Sequence, residues 1–316
     1  MDIAIKVEKL TKRFPSRKDM PAVNEVDLEI PTGILFGLVG PDGAGKTTIL
    51  RMLASVMEQS SGSACINGFD THTQAEKVRK SIGYMPQNFS LYPDLSVIEN
   101  LNFFADIQEV PAGEKKARID EMLDFTRLAD FTSRRAGKLS GGMKKKLALA
   151  CAMMHNPQVL ILDEPSTGVD PVSRRELWVI LAKVVQKGVT VLVSTPYMDE
   201  AERCHKVGML YQGRLLTSGT PDEIISQLPF EIIEAKAKPR KMMREIVSAQ
   251  QDIIDWHPVG DRLRILVSGN GATKKALETL RLQFQQNDLQ VNILRPARRT
   301  MEDAFVHLVK VQRGEE

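Results

Sequence analysis

GPDGAGKT, residues 40 to 47, constrains this chain more than any other stretch. It satisfies G-x-x-x-x-G-K-[ST], and its flanks fit the pattern. ILFGLVG (34–40) reads as a buried strand, and Ile49, Leu50, Leu53 and Met57 then fall at helical spacing. Gly40, Gly43 and Gly45 permit a turn whose backbone N–H groups converge on phosphate oxygens, and the helix N-terminus adds orphan N–H groups of its own. Lys46 is expected to reach the β- and γ-phosphates, and the Thr47 hydroxyl to ligate Mg²⁺. The whole loop, with Pro41, Asp42, Ala44 and Thr48, is therefore the expected contact surface for ATP.

QVLILDEP (158–165) reads as a second buried strand ending in two consecutive carboxylates. Neighbouring strand side chains point to different sides, so the two are expected to divide the work. Asp163 suits the Mg²⁺ shell, and Glu164 can polarise an attacking water. LSGGM (139–143) opens a helix that Ser140 can cap, while Gly141 and Gly142 leave its N-terminus open to an anion. Singly, these motifs also describe a glycine turn, a solvated acidic cap and a helix start. Their combination is specific.

Strands and helices alternate as far as Thr220, interrupted by a mainly helical insert over about 88–156. This reads as an α/β ATP-binding domain over 1–220. Pro221 to Pro229 reads as a junction. Over 230–316 the order restarts as β-α-β-β-α-β, a split βαβ or ferredoxin-like pattern, with a last helix in MEDAFVHLVK.

Composition removes several alternatives. A net charge of +3, from 43 basic and 40 acidic residues, gives no reason to expect a nucleic-acid partner. Cys65, Cys151 and Cys204 are far apart and odd in number, which argues against a disulfide framework or zinc site and favours a reducing compartment. No stretch approaches the ~18 apolar residues that span a bilayer, and MDIAIKVEKL lacks the apolar core of a signal peptide. The expectation is a soluble, cytoplasmic chain whose membrane part, if any, is another polypeptide.

At this point the sequence resembles the ATP-binding subunits of ABC transporters, over most of residues 3–220. The resemblance makes Gly40–Thr47 the Walker A loop, Leu139–Gly142 the signature, and Asp163 the end of the Walker B strand of a RecA-like core. It implies that Gln87, in IGYMPQ, touches Mg²⁺ and senses a transmembrane partner. It makes Asp170, in STGVDP, the D-loop aspartate, and it sets Phe14, in LTKRF, against adenine. LYPDLSVIENL, YMDEAERC and MEDAFVHL are similar to the multidrug-exporter branch with its daunorubicin-type exporters, especially the amino-terminal half of tandem exporter ATPases. Also implied is a head-to-tail dimer with a second ATPase subunit. ATP on Gly40–Thr47 of one subunit would be closed over by Ser140, Gly141 and Gly142 of the other. An integral-membrane permease would dock near Gln87 and the insert, holding the chain on the inner face of the cell membrane. Phe103, Phe104 and Ile107 read as the insert's own core, and Lys144, Lys145 and Lys146 as a solvated helix face.

VTVLVSTPYMDE (189–200) departs from that family. Ser194, Thr195, Asp199 and Glu200 fit its S-T-H-x-x-x-E segment, but Pro196 stands where a histidine reaches the γ-phosphate. Proline has neither a side-chain donor nor a backbone N–H. With Glu164 retained, the expectation is a slow site, contributed to a heterodimer or present twice in a homodimer. Two other readings stay open: a soluble ABC protein without a transport role, and a regulatory subunit that binds ATP with little turnover.

Overall fold

The computed structural model describes residues 2–15, 20–88, 91–269 and 271–314. Positions 89 and 90 of the insert, and 270, 315 and 316 of the C-terminal part, lie outside the described residues. The chain divides into two compact units, Met1–Pro221 and Asp222–Glu316.

In the first unit the strands are β1 (Ile3–Lys12), β2 (Val23–Pro31), β3 (Leu35–Val39), β4 (Ser61–Ile66), β5 (Phe69–Asp70), β6 (Ile82–Met85), β7 (Val159–Asp163), β8 (Thr190–Thr195), β9 (Lys206–Tyr211) and β10 (Arg214–Gly219). Two sheets result, an antiparallel β2-β1-β4-β5 and a six-stranded β10-β9-β3-β8-β7-β6. The second is parallel except for the β9–β10 hairpin. β3, β7 and β8 are buried along their whole length, as continuous apolar strands covered on both faces should be. Their register decides where a ligand can sit. Val39 pairs with Thr195, Asp163 with Ser194, and Met85 with Leu162. The carboxyl ends of β3, β8, β7 and β6 therefore finish on one line, the usual ligand-binding edge of a parallel sheet.

The helices of this unit are α1 (Lys46–Leu53), α2 (Ala75–Ser81), α3 (Val97–Ile107), α4 (Ala112–Thr126), α5 (Gly141–Ala152), α6 (Pro171–Gln186) and α7 (Met198–Ala201). α1 is shorter than its apolar spacing suggests. Ser55 adopts φ 53, which ends helical geometry, so Met57 packs against the core from beyond the helix. Ser96 caps α3 in a reciprocal box with Glu99.

The core expected from Phe103, Phe104 and Ile107 needs correction. The inward stripe of α3 is Val97, Leu101 and Ala105, all buried, whereas Ile107 is 60% exposed. Phe103 and Phe104 are half-buried and meet Tyr92 edge-on and tilted, at centroid distances of 4.5 and 6.5 Å. The lysine run needs correction too. Lys144 is exposed, Lys145 is half-buried, and Lys146 is buried in an ion pair with Glu176.

Pro221–Ser226, read from the sequence as part of a junction, form a short helix α8 with Ile224 and Ile225 buried. In the second unit, β11 (Phe230–Lys238), α9 (Arg240–Ser248), β12 (Ile253–Val259), β13 (Arg262–Ser268), α10 (Ala272–Gln286), β14 (Gln290–Ala297) and α11 (Met301–Arg313) follow. The sheet order is β12-β13-β11-β14 with every neighbour antiparallel, the arrangement of the split βαβ pattern. Ile233, Ala235, Leu263, Ile265 and Val267 face α9 and α10 in one apolar cluster. Alternation turns Arg264 to the other face, where it makes a two-pronged contact with buried Asp303 of α11.

Candidate functional site

The loop after β3 is shaped by backbone. Gly45 caps α1 at φ 108, and a Cβ there would lie 2.5 Å from the Ala22 carbonyl oxygen. No L side chain is tolerated at such a position. Three main-chain hydrogen bonds brace the loop from outside. Gly213 N donates to Ala44 O at 2.9 Å, Asn24 N to Gly213 O at 2.8 Å, and Gly40 N to Thr195 O at 3.3 Å. No side chain takes part in these three contacts.

Lys46 is buried and turns back over its own loop, donating to Gly40 O at 2.8 Å and Pro41 O at 3.0 Å. Its Nζ lies 3.3 Å from Glu164 Oε1. Across the line of strand ends, Thr47 Oγ1 donates to Asp163 Oδ1 at 3.0 Å, and Ser194 Oγ donates to the same oxygen at 2.7 Å. Asp163 Oδ2 is buried without a hydrogen-bond partner. A fully buried carboxylate oxygen left unpartnered is costly unless a donor or cation meets it. With the Thr47 hydroxyl beside it, the donor set is the hard-oxygen chemistry of Mg²⁺. Among the described residues no cluster of three or more His, Cys, Asp or Glu side chains could hold a metal alone. A Mg²⁺ ion that takes its remaining ligands from phosphate and water fits this arrangement.

Asp163 and Glu164 diverge for a reason other than strand alternation. β7 ends at Asp163, and Glu164 takes φ 49. Its N–H donates to Ser194 Oγ at 3.0 Å, while its Oε2 accepts from Gln87 Nε2 at 3.0 Å and Thr167 Oγ1 at 3.3 Å. The turn places Glu164 at a cavity of about 450 Å³ that is also lined by Phe14, Asp42, Gly43, Lys46, Thr47 and Gln87. Thr48 lines it as well, and Ala44 is buried behind it. Phe14 is half-buried with Lys12 Nζ 5.4 Å from its ring centre.

The remaining expected residues sit elsewhere. Ser140 caps α5 by accepting from Met143 N, and Ser140 and Gly141 are exposed. Gly142 is buried against α6, where an added Cβ would meet the Ser173 side chain at 2.3 Å. Asp170 caps α6, accepting from Val172 N and Ser173 N at 3.0 Å each. The Ser173 N–H in particular holds its carboxyl below the usual range. Pro196 is half-buried and does not belong to the described lining of the 450 Å³ cavity. The turn around it is held by Glu200, which is fully buried and accepts from Thr195 Oγ1, Arg174 Nε (2.6 Å) and Trp178 Nε1 (3.0 Å).

Three contributors were not singled out for these roles from sequence: Ser194, Thr167 and Lys145. Ser194 was visible as a polar residue at a strand end. Thr167 and Lys145 carry no local signal. Lys145 Nζ donates to Gln87 O at 3.1 Å, and burial pulls its ammonium below the usual value despite the nearby charges of Asp163 and Glu164.

The ABC transporter family profile matches residues 23–167. Over 311 residues the chain is 41% identical to the probable multidrug ABC transporter ATP-binding protein YbhF of Escherichia coli, covering 98% of this chain and 52% of that one. It thus spans about half the length of that relative. Over 243 residues it is 37% identical to the Nod factor export ATP-binding protein I of Burkholderia thailandensis, covering 76% of this chain and 79% of the other. Among solved structures, the dimeric ATP-binding cassette MJ0796 bound to ADP and Pi superposes with a TM-score of 0.63 at 25% identity, covering 68% of this chain and 98% of that one.

Proposed function

This chain belongs to the ATP-binding proteins of ABC transporters, and on that premise we propose that it binds and hydrolyses Mg·ATP to energise an exporter of the multidrug type. The observation that carries hydrolysis is the suspension of Glu164 between Lys46 at 3.3 Å and Gln87 at 3.0 Å, beside the phosphate loop. In this reading the loop and Lys46 bind the phosphates, and Thr47, Asp163 and Gln87 hold Mg²⁺. When bound there, the ion would supply neutralisation of the phosphates' negative charge. Glu164 accepts a hydrogen bond from the attacking water and aims its lone pair at the γ-phosphorus. As the bond from the water oxygen to the γ-phosphorus forms, the bond to the bridging oxygen breaks; the water's proton passes by way of Glu164 to the departing phosphate, and ADP and inorganic phosphate are released. Phe14 supplies a wall for the base.

The exposed Ser140 and Gly141 support a second ATPase subunit in head-to-tail pairing, since neither surface encloses a nucleotide alone. No helix of the described residues is long and apolar enough to cross a membrane, so transport calls for an integral-membrane permease. A groove of about 710 Å³ beside the insert, lined by Val56, Tyr84, Ile107 and Val110 among others, is the surface we assign to it. The chain would then work on the cytoplasmic face, held there through that permease. Pro196 favours the further reading that this subunit carries the slower site of a heterodimer.

Glu164→Gln tests the hydrolytic reading. The variant keeps the shape of the side chain and loses its charge, so it is expected to bind Mg·ATP, accumulate as an ATP-bound dimer and release little phosphate. Phosphate release at the wild-type rate would remove Glu164 from the mechanism.

A further inference from the structure

We propose that Lys145 is a positioning residue for Gln87, tying the helix that begins at Ser140 to the phosphate site of its own chain. This rests on the ATPase reading above. Lys145 lies between one and two helical turns beyond Ser140. Its Nζ donates to Gln87 O at 3.1 Å; Gln87 Nε2 donates to Glu164 Oε2 at 3.0 Å; and Glu164 Oε1 lies 3.3 Å from Lys46. The series joins α5 to the phosphate loop through Gln87 and Glu164.

The neighbouring lysines do different things. Lys144 points to solvent, and Lys146 is committed to Glu176. Between Gln87 and α5 lies a cavity of about 500 Å³ whose lining includes Gln87, Gly141, Lys145 and Thr167. Across that open space, the long Lys145 side chain reaches from α5 to donate a hydrogen bond to the Gln87 main chain.

The consequence concerns two nucleotides. Ser140–Gly142 would meet ATP held by the partner subunit, while Gln87 and Glu164 serve ATP held by this one. A displacement of α5 on closure over the partner's ATP would be transmitted by Lys145 to Gln87, and so to the position of Glu164. Such coupling is reciprocal in binding free energy. Lys145 is not among the described residues lining the 450 Å³ cavity beside the phosphate loop, so it acts through Gln87.

The test uses the full chain and compares wild type, Lys145→Met, Lys145→Arg and, as a control, Lys144→Met. Two quantities are read: amide hydrogen exchange in peptides covering 82–88, and the kcat and KM for Mg·ATP. Loss of one charge-assisted hydrogen bond is expected to raise exchange around Gln87 and lower kcat in Lys145→Met, each by about tenfold, with KM changed by no more than about twofold. Lys145→Arg keeps a charged donor and should stay near wild type, as should Lys144→Met. If Lys145→Met folds poorly, Lys145→Gln takes its place. Unchanged exchange and kcat on removing the ammonium overturn the proposal, and so does an arginine variant as impaired as the methionine one. A wild type that binds ATP without turnover would sink the hydrolytic reading, while the exchange measurement would still decide the role of Lys145.

Discussion

Lys46 Nζ and Glu164 Oε1 face each other at 3.3 Å with side-chain exposures of 3% and 7%. In a pair so far from water, each partner is compensated chiefly by the other. Removing one partner of a buried pair typically costs about 3–5 kcal/mol. Lys46→Ala should therefore lose stability as well as ATP affinity, whereas Glu164→Gln, retaining an acceptor for Lys46, should lose less of either. Thermal unfolding and equilibrium ATP binding on both variants check this, and equal ATP affinity in wild type and Lys46→Ala would count against its phosphate role.

Ser194 bridges the two carboxylate residues, donating to Asp163 and accepting from the Glu164 N–H. Ser194→Ala leaves that buried N–H unpaired, at a cost of about 1–3 kcal/mol. The expected outcome is a lower kcat with a raised Mg²⁺ requirement. A Mg²⁺ titration of turnover that superposes on wild type would show that Ser194 only fills space.

Pro196 lacks the donor that the family places at this turn. A preorganised donor to a transition-state oxygen is commonly worth ~2.7–4 kcal/mol, or roughly 10²–10³ in rate, which is the ceiling for Pro196→His. The clamp of Glu200 by Thr195, Arg174 and Trp178 holds the turn on either side, so the exchange should be tolerated. Turnover is compared for the chain alone and with any companion ATPase. A homodimer that hydrolyses ATP equally fast with proline or histidine would end the degenerate-site idea.

His155 presents its two ring nitrogens to Gln108 Oε1 and Ile82 O, both at 2.9 Å. Burial lowers its pKa from 6.5, against the carbonyl of Ile82, which raises it. The unfolded chain thus takes up a proton at higher pH than the folded one. The stability contribution is present above the ordinary value and is lost as pH falls through the lowered folded value. Denaturant midpoints should drop from about pH 7 to about pH 5, less steeply in His155→Gln. Parallel slopes would exclude His155 as a source of the dependence.

Residues 1–221 contain every group assigned to phosphate, Mg²⁺ and base, and they form a compact unit. A chain ending at Pro221 should stay soluble and bind ATP with nearly full affinity. Aggregation of that piece, or loss of binding by it, would mean that the second unit contributes to the first one's fold.

The shape of the glycine loop between β3 and α1 was legible because its requirements are local: glycines at fixed offsets, a buried strand before, a helix after. The alternation of strand and helix was legible for the same reason, and so was the β-α-β-β-α-β order of the second unit. Where α1 ends was not, because its stop is Ser55 in a left-handed conformation that serine rarely announces. Asp163 and Glu164 were rightly separated on the wrong ground, since the turn at φ 49 aims Glu164 and strand alternation does not. Lys145 was hidden for a different reason. Its contact with Gln87 depends on how α5 approaches the end of β6, and nothing in MKKK distinguishes the inward lysines from the outward one.

The bracing of the loop between β3 and α1 by Gly213, Asn24 and Thr195 is written in main-chain atoms, which every amino acid except proline carries in full. Such a scaffold is nearly blind to the identity of its neighbours. Side chains around it can be exchanged over evolutionary time without retuning the loop, provided that the few glycines are spared. A chain built this way can keep one loop geometry while its outer surfaces change.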